Sequence, residues 1–573
     1  MQAITVKKLV GFGLLVGHSM AMAFVTVGNT PDCDYDNIFP AYQDSDIEMR
    51  VTNEQVHSNN FTIEKIKVIK GGYDSCQDAE NNVMGSQKTR WSGLNGNNNT
   101  VIEVDADLTI VSTVIIENFD IYAGNNTSFA SAGGIKVTGN SNLILRNSVV
   151  RDNQGNEGGG IHVFGDEARL ALENTEVRDN SVTGYGGGIY CSNDAYVSID
   201  AQSTIHHNQA NFNGGGIFAG MGCAVHSDSG AEVAGRDDEG ISNNQAQRGG
   251  GVYLQTGAQL VAQGNTDNPA RIIGNFATTF NELAGGGLYL AGANTTAMLS
   301  NTHLQFNSAD GDGGGFVVTD QATLTMGRSG QGCQYSNQDL CSELSRNETL
   351  SFTATGATGH ISAGGSVDIS QTLVANNLSI NTAGVVLDNG AYLRLEGNLI
   401  SNNDGLGAQS AAPHLFYLDG DNNQASQLDF GFNTVVNNNV DNFFTTNNSN
   451  SSQLINVFNS IIWDFGTIFN FNGPATAQID CATVHESASL SGNVGAVLTN
   501  DPLFINPAMG DYRPSLASDA IDFCDNDLFT DQHPGLNGNP RGHDMSSVNN
   551  AFGTYDAGAY EYYPEIIFRS GFD

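Results

Sequence analysis

The chain has 573 residues, with 22 Lys and Arg against 61 Asp and Glu, and a formal net charge of −39 at pH 7. That charge excludes a nucleic-acid partner, because a sequence-independent grip on phosphates needs a basic surface. The negative charge also disfavours anionic polysaccharides as binding partners and favours the binding of cations.

The first 23 residues are typical of a secretory signal peptide. Lys7 and Lys8 precede an apolar run over residues 9–17, and Ala21-Met22-Ala23 forms a small-residue cleavage site ahead of Phe24. The run is too short for a membrane anchor, since a span needs about 20 apolar residues. We expect an exported mature chain with no membrane span after cleavage.

Eight cysteines follow in the exported part, and none forms a CxxC pair. In an oxidising compartment disulfides are the better interpretation than a metal site. Eight cysteines allow about 105 pairings, so the connectivity stays open. We favour pairing between sequence neighbours: Cys33 with Cys76, Cys191 with Cys223, Cys333 with Cys341, and Cys481 with Cys524.

A phrase with an asparagine, a glycine triplet and an apolar residue recurs along the chain. The runs between the repeats alternate apolar and polar residues and show no helical period, which is typical of strands separated by turns. The apolar residues after the triplets are Ile161, Ile189, Ile217, Val252, Leu288 and Phe316. The asparagines that begin the phrases are Asn153, Asn180, Asn208, Asn244, Asn275 and Asn307.

These repeats predict a solenoid in which each unit forms one coil of parallel strands. The asparagines should stack into a ladder between coils, and the glycines should take left-handed conformations at a corner. Replacing Gly187 by valine is then expected to destabilise the solenoid.

Alternation along the strand after each triplet predicts which side chains face outward. The residue after each listed apolar position should point away from the core. The resulting stripe is either a bracing stack of rings or a platform for sugars or a partner. Its candidate ligand-binding members are His162, Tyr190, Phe218, Tyr253 and Tyr289.

Two turn-rich segments carry candidate metal ligands. Asp310 and Asp312 precede a glycine triplet, and Asp419 and Asp421 alternate in a loop. Asp, Asn and Gly dominate turns, so turn chemistry explains both segments as well. Ca²⁺ is the one candidate cofactor, supported by the acidic charge and the exported setting. The expected function requires no cofactor.

The repeat phrases resemble the right-handed parallel β-helix repeats of the pectin-lyase-like superfamily. The words ending in GGGI are similar to the GGxI repeats of chlamydial polymorphic outer membrane proteins. The segments DPLFINPAMGDYR, GNPRG and YDAGAYEY resemble the closing module of choice-of-anchor Q proteins. The resemblance implies an all-β, right-handed parallel β-helix at the surface or outside of a Gram-negative bacterium.

The chain therefore divides into five segments. Residues 1–23 are the signal peptide, 24–99 the N-terminal cap and entry coils, and 100–490 the β-helix. Residues 491–563 form the choice-of-anchor Q-like cap, and 564–573 form a tail of undetermined role. Within the cap, Asp501, Arg541, Asp556 and Glu561 are candidates for structural ion pairs.

Two functions remain open at this stage. The leading hypothesis is a non-catalytic scaffold or adhesin with a polysaccharide or cell-surface partner, and no catalytic residue is assigned. The alternative is a polysaccharide lyase or glycoside hydrolase of the same fold. Words resembling the polygalacturonase pattern occur out of order, which we interpret as chance: Asp237-Asp238, Asn265-Thr266-Asp267, Arg271-Ile272 and Gly359-His360.

Overall fold

The computed structural model describes most of the chain between residues 23 and 564. The internal segments outside the description are 55, 58–59, 95–97, 107–111, 229–231, 235–243, 265–268, 329–341, 407–412, 421–423, 448–450, 486–489, 491 and 526–532.

Each coil of the solenoid contributes one strand to each of several parallel sheets. In one coil the chain runs through Ile135–Gly139, Ser141–Arg146, Val149–Arg151 and Gln154–Glu157, and then enters the next coil at Ile161–Phe164. Ile135 pairs with Ile161 in a parallel register, and the same register continues from coil to coil. The predicted fold class, an all-β parallel solenoid, is confirmed.

The first two sheets form adjacent sides of the coil. Among the described residues, sheet 1 has fourteen strands: Phe61–Ile63, Ile102–Ala106, Ile135–Gly139, Ile161–Phe164, Ile189–Ser192, Ile217–Ala219, Val252–Gln255, Leu288–Ala291, Phe316–Thr319, Gly359–Ile361, Thr382–Asp388, His414–Asp419, Asn442–Asn447 and Thr467–Phe471. In the same part of the chain sheet 2 has seventeen: Phe24–Val27, Glu48–Thr52, Lys67–Tyr73, Ser112–Glu117, Ser141–Arg146, Arg169–Glu173, Tyr196–Ile199, Ala224–Ser227, Gln259–Gln263, Thr296–Ser300, Thr323–Gly327, Ser366–Ser370, Tyr392–Glu396, Gln427–Gly431, Gln453–Phe458, Ala475–Asp480 and Asn493–Val494.

Two further sheets complete the coil. Sheet 3 has sixteen strands within the described ranges: Val56–His57, Thr89–Ser92, Phe119–Tyr122, Val149–Arg151, Glu176–Arg178, Thr204–His206, Glu232–Ala234, Ala270–Ile273, Thr302–Gln305, Ser342–Ser345, Thr372–Ala375, Leu399–Ser401, Thr434–Val436, Ile461–Trp463, Ala482–Val484 and Val497–Leu498. Sheet 4 has ten short strands there: Asn125–Asn126, Gln154–Glu157, Ser181–Tyr185, Gln209–Ala210, Gln245–Ala246, Phe276–Ala277, Ser308–Ala309, Glu348–Thr349, Leu378–Ser379 and Asp404–Gly405.

A single apolar core runs through the middle of the coils, from Val25 to Val484. Alternation places every second strand residue in it, as the sequence predicts. The apolar residue after each glycine triplet, from Ile161 to Phe316, is fully buried. Burial of such stacked side chains from water is the main force that holds neighbouring coils together.

The predicted asparagine ladder is present and is longer than the repeat phrases suggest. Each side-chain amide donates to the amide oxygen of the next coil, for example Asn180 Nδ2 to Asn208 Oδ1 at 3.0 Å. The ladder ends on a carboxylate, because Asn438 Nδ2 donates to Asp464 Oδ2 at 2.9 Å. Burial raises the pKa of Asp464 to about 6. The members beyond the predicted six are Asn347, Asn377, Asn403 and Asn438.

The glycine triplets serve two purposes at the corner before sheet 1. The first glycine of a triplet is left-handed, with φ of 71° at Gly186, which favours glycine. Gly187 is not left-handed, so that part of the prediction is wrong. Its constraint is close approach, because a Cβ there would lie 2.4 Å from the Gly215 carbonyl oxygen of the next coil.

Short elements lie at the two ends of the solenoid. The helix Ile38–Gln43 begins after Asn37 and buries Ile38, Ala41 and Tyr42 against the first coils. A second helix spans Cys76–Glu80, and the 3₁₀ helix Pro507–Met509 joins the antiparallel strands Phe504–Asn506 and Asp511–Pro514.

The described residues of the C-terminal segment pack along the outer face of sheet 3. Tyr512, Leu536 and Tyr560 form one apolar cluster with Leu373 and Leu399. The buried Arg541 donates to the carbonyl oxygens of residues 558 and 559 and lies 3.9 Å from the carboxylate of residue 561. The segment is thereby fixed to the last coils.

Candidate functional site

The five residues of the predicted stripe form one continuous stack on sheet 1, which we call the ring ladder (His162, Tyr190, Phe218, Tyr253 and Tyr289). Parallel pairing sets each member beside the next. The rings of Tyr190 and Phe218 stack with centroids 5.1 Å apart, and those of Tyr253 and Tyr289 with centroids 4.9 Å apart. The face assignment is correct, because Phe218, Tyr253 and Tyr289 belong to a cluster separate from the solenoid core.

The exposure expected for the ring ladder is wrong. His162, Phe218, Tyr253 and Tyr289 are buried, and only Tyr190 is half-buried. Phe218, Tyr253 and Tyr289 form one cluster with Val317, and Tyr185, Leu283 and Ala291 pack against it. Stacked and buried rings of this kind brace the sheet.

His162 begins the ring ladder as a neutral imidazole. Burial, aided by the nearby Lys136 charge, lowers the pKa of His162 to about 3. Among the described residues neither of its ring nitrogens has a hydrogen-bond partner. Its ring meets Tyr190 edge-on with centroids 4.8 Å apart. The side chain therefore fills space instead of presenting a polar group.

The same face of sheet 1 carries a buried charged group farther along. His360 Nε2 lies 3.1 Å from Asp388 Oδ2, and His360 Nδ1 lies 3.4 Å from Asp312 Oδ2. Burial lowers the pKa of His360, but the two carboxylates outweigh this effect and raise it to about 9. The His360 imidazolium and the two carboxylates form an ion-pair network. Because His360 is only 5% exposed, a substrate cannot reach its ring.

The candidate metal ligands do not converge in the described part of the chain. Asp312 Oδ1 accepts from the Thr355 backbone N–H at 2.7 Å, and its other oxygen faces His360. Asp419 Oδ1 accepts from the Gly420 N–H at 2.8 Å, which is turn chemistry. Asp421 lies outside the described residues. No cluster of three His, Cys, Asp or Glu side chains suited to a metal occurs among the residues described.

Two of the four predicted disulfides are present. Cys33 is bonded to Cys76, and Cys191 to Cys223 on neighbouring coils. The predicted pairing of Cys481 with Cys524 is wrong: both are buried free thiols, and Cys524 Sγ donates to the Cys481 carbonyl oxygen at 3.1 Å. The pair Cys333 and Cys341 lies outside the described residues, as do residues 237–238 and 265–267.

Six exposed large apolar side chains of the described solenoid lie at the corner between sheet 4 and sheet 1, whereas others, such as Phe164, Met221 and Met298, lie elsewhere. Phe129 is 89% exposed, Phe280 62% and Phe352 79%. Sequence analysis missed them because they sit in corner segments of unequal length, outside any period. We call this set the apolar ridge, and its members each follow a sheet 4 strand: Phe129, Phe212, Phe280, Leu350, Phe352 and Leu406.

Four members of the ridge recur at every second coil. Phe212, Phe280, Phe352 and Leu406 follow the fourth, sixth, eighth and tenth strands of sheet 4. Coils stack at about 4.8 Å, so successive members are about 9.6 Å apart along the axis. These four members thus lie on every second coil, whereas Phe129 lies three coils before Phe212 and Leu350 shares a coil with Phe352.

Hydrogen bonds hold the ridge segments in place. The Phe212 carbonyl oxygen accepts from the Gln247 N–H at 2.6 Å, and the Phe352 carbonyl oxygen accepts from Asn381 Nδ2 at 3.2 Å. Thr353 Oγ1 donates to Asn281 Oδ1, which joins the segments that carry Phe352 and Phe280. The exposed rings therefore project from fixed backbone.

The segments that carry Phe212, Phe280 and Phe352 contain few charged residues. Segments 211–213, 278–284 and 350–355 consist of apolar residues, Thr, Ser and Asn apart from one charged residue, Glu282. The carboxylate of Glu282 forms an ion pair with the Arg248 guanidinium on the preceding coil. The charge of Glu282 is thereby balanced locally, whereas Asp310 and Asp312 add acidic groups at the same corner on the coil between Phe280 and Phe352.

No protein-family profile matches the sequence, and a search of curated proteins finds no similar sequence. Within the described ranges, no helix has the length and apolar character needed to cross a membrane.

Proposed function

We propose that this protein is an exported, non-catalytic β-solenoid that acts as a surface or extracellular scaffold and adhesin, with the apolar ridge as its contact edge. The resemblance to pectin-lyase-like repeats and to choice-of-anchor Q modules supports this location and role. The signal-peptide pattern and the two disulfides support export, because disulfides persist in oxidising compartments.

The observation that carries the proposal is the exposure of the ridge. The ridge aligns several exposed large apolar side chains along one corner, and an alignment of this kind supports a contact edge because leaving these groups in water is unfavourable. The ridge extends over six coil steps between Phe212 and Leu406, a length of about 29 Å. The rings that we first expected to make such a contact are buried in the ring ladder.

A scaffold fits the described side chains better than an enzyme. Acid–base catalysis needs titratable groups within reach of a substrate. The most perturbed histidine with carboxylate partners, His360, is enclosed between Asp312 and Asp388 and is 5% exposed. Its charges stabilise the coil corner.

Attachment of the protein to cells tests the proposal. The triple variant Phe212→Ser/Phe280→Ser/Phe352→Ser should stay folded and lose attachment, because Phe280 and Phe352 are mostly exposed. A small decrease in melting temperature is expected from Phe212, whose ring packs on Tyr185 with centroids 5.5 Å apart. Phe465→Ser is the matched control, since Phe465 is 76% exposed but lies outside the ridge. Attachment of the folded triple variant at the wild-type level would refute the ridge as the contact edge.

A further inference from the structure

The described parts of the C-terminal segment hold three buried carboxyl groups side by side. Asp522, Asp556 and Glu561 are each at most 1% exposed. Asp556 Oδ1 accepts from the Asp522 N–H at 2.9 Å, and Glu561 Oε2 accepts from the Asp556 N–H at 3.3 Å. The three groups therefore occupy one interior site, which we call the carboxyl cluster.

Among the described residues, one guanidinium faces the carboxyl cluster. The side chain of Arg541 is 2% exposed, and its Nη1 lies 3.9 Å from Glu561 Oε2. Arg541 also donates to the carbonyl oxygens of Gly558 and Ala559. Asp522 Oδ1 has no hydrogen-bond partner in the described part of the chain. Three carboxylates beside one guanidinium leave buried negative charge, which is costly unless protons neutralise it.

We propose that the C-terminal segment is a pH-controlled cover, closed over the outer face of sheet 3 while the carboxyl cluster is protonated and loosened when the cluster ionises. Burial, together with the neighbouring Asp556 charge, raises the pKa of Glu561. Burial also raises the pKa of Asp556 and of Asp522. Because these folded-state pKa values are raised, the stabilisation is complete below the unfolded carboxyl range near about 4 and is lost as the pH rises through the folded values.

The titratable groups that face the carboxyl cluster come from both the segment and the solenoid: His543, Asp544, Cys524 and Tyr563 from the segment, and Glu396 from sheet 2. Burial raises the pKa of the Cys524 thiol, which therefore stays neutral. Glu396 Oε2 lies 3.2 Å from His533 Nδ1 and raises the pKa of His533. That contact is lost as the pH rises, in the same direction as the cluster.

The face beneath the segment differs from the rest of sheet 3. Where the segment covers it, the outward side chains are apolar and pack in one cluster with the segment, as at Leu373, Leu399 and Val436. On earlier coils the outward positions are charged, as at Arg151 and Arg178, which form ion pairs at the surface. Loosening of the segment therefore exposes an apolar face that the closed protein keeps from water.

Hydrogen–deuterium exchange of the full exported chain, read peptide by peptide with mass spectrometry, tests this inference. The opening equilibrium changes about tenfold per pH unit for one carboxyl group with a raised pKa. Peptides from residues 511–525 and 533–561 should therefore open at least about tenfold more at about pH 8 than at about pH 5, after correction for the chemical exchange rate. Peptides from residues 161–178 of the solenoid should not change.

Asp522→Asn separates the carboxyl cluster from the His533 contact. An amide fits this position, because Asp522 Oδ2 accepts from the Met545 N–H at 2.9 Å and Oδ1 has no partner among the described residues. The variant should show a smaller rise in opening with pH. Asp519→Asn is the matched control and should behave as the wild type, because Asp519 is an exposed carboxylate of the same segment.

Two results would overturn the inference. The first is equal opening of the wild-type segment at the two pH values, a comparison that needs no variant and holds even if Asp522→Asn does not fold. The second is an unchanged pH dependence in folded Asp522→Asn, which would assign the effect to the His533 contact.

Discussion

Replacing one member of the asparagine ladder tests what holds the coils in register. Asn208 is fully buried, and its Oδ1 accepts from the Asn180 N–H at 3.1 Å and from Asn180 Nδ2 at 3.0 Å. Its Nδ2 donates to the Val177 carbonyl oxygen at 2.9 Å and to Asn244 Oδ1 at 3.1 Å. Asn208→Ala removes these four bonds and a fifth, from Asn208 Nδ2 to the His206 carbonyl oxygen at 2.9 Å, and leaves the Asn180 N–H and the Val177 carbonyl without these partners.

Each buried group left unsatisfied costs about 1 to 3 kcal/mol, so Asn208→Ala should lower the free energy of unfolding by about 2 to 5 kcal/mol. Gln209→Ala is the control, because the neighbouring Gln209 side chain is exposed. Guanidinium unfolding followed by far-UV circular dichroism measures both variants. The comparison requires that the free energy of unfolding depends on denaturant concentration with the same slope in both. A loss under about 1 kcal/mol for Asn208→Ala would refute the ladder as a stabilising element.

Four further predictions concern packing and titration. Gly187→Val should lower the free energy of unfolding by about 1 to 3 kcal/mol through overpacking, and an unchanged melting temperature would contradict the close approach. Tyr253→Ala should cost about 3 to 5 kcal/mol as a buried ring of the ladder, whereas a fully stable variant would show that the ladder is dispensable. Because the pKa of His360 is raised to about 9 in the folded state, its stabilisation is complete below the unfolded value near 6.5 and is lost as the pH rises through 9. Thermal melts should show the wild-type advantage over His360→Gln shrinking between pH 6 and pH 10, and a constant difference would refute the ion-pair account. Non-reducing peptide mapping of the exported protein should recover Cys33 linked to Cys76 and Cys191 linked to Cys223, and free thiols at these positions would contradict the two disulfides.

The solenoid could be predicted because its signals are periodic. The glycine triplets and Asn153 to Asn307 recur with each coil, and a period in sequence becomes a stack in space. The ladder continues through Asn347 to Asn438 and ends at Asp464, but those coils lack the full triplet, and sequence analysis missed them.

The exposure of side chains outside the core could not be predicted in the same way. Alternation separates the ring ladder from the core but does not reveal that stacked rings, with Tyr185 and Leu283 from the corner segments, bury one another. Phe280 and Phe352 lie in corner segments of seven and six residues, so no period marks them. Their exposure follows from how far those segments project, which is a tertiary property.

Hydroxyl-radical footprinting with mass spectrometry tests most directly whether the ridge, and not the ring ladder, is the contact surface. The free protein should be oxidised at Phe212, Phe280 and Phe352 and not at Phe218 or Tyr253. Binding to cells that the protein attaches to should protect the three ridge rings and leave Phe465 labelled. Unchanged labelling of the ridge in the attached protein, or strong labelling of Phe218 and Tyr253 in the free one, would contradict this account.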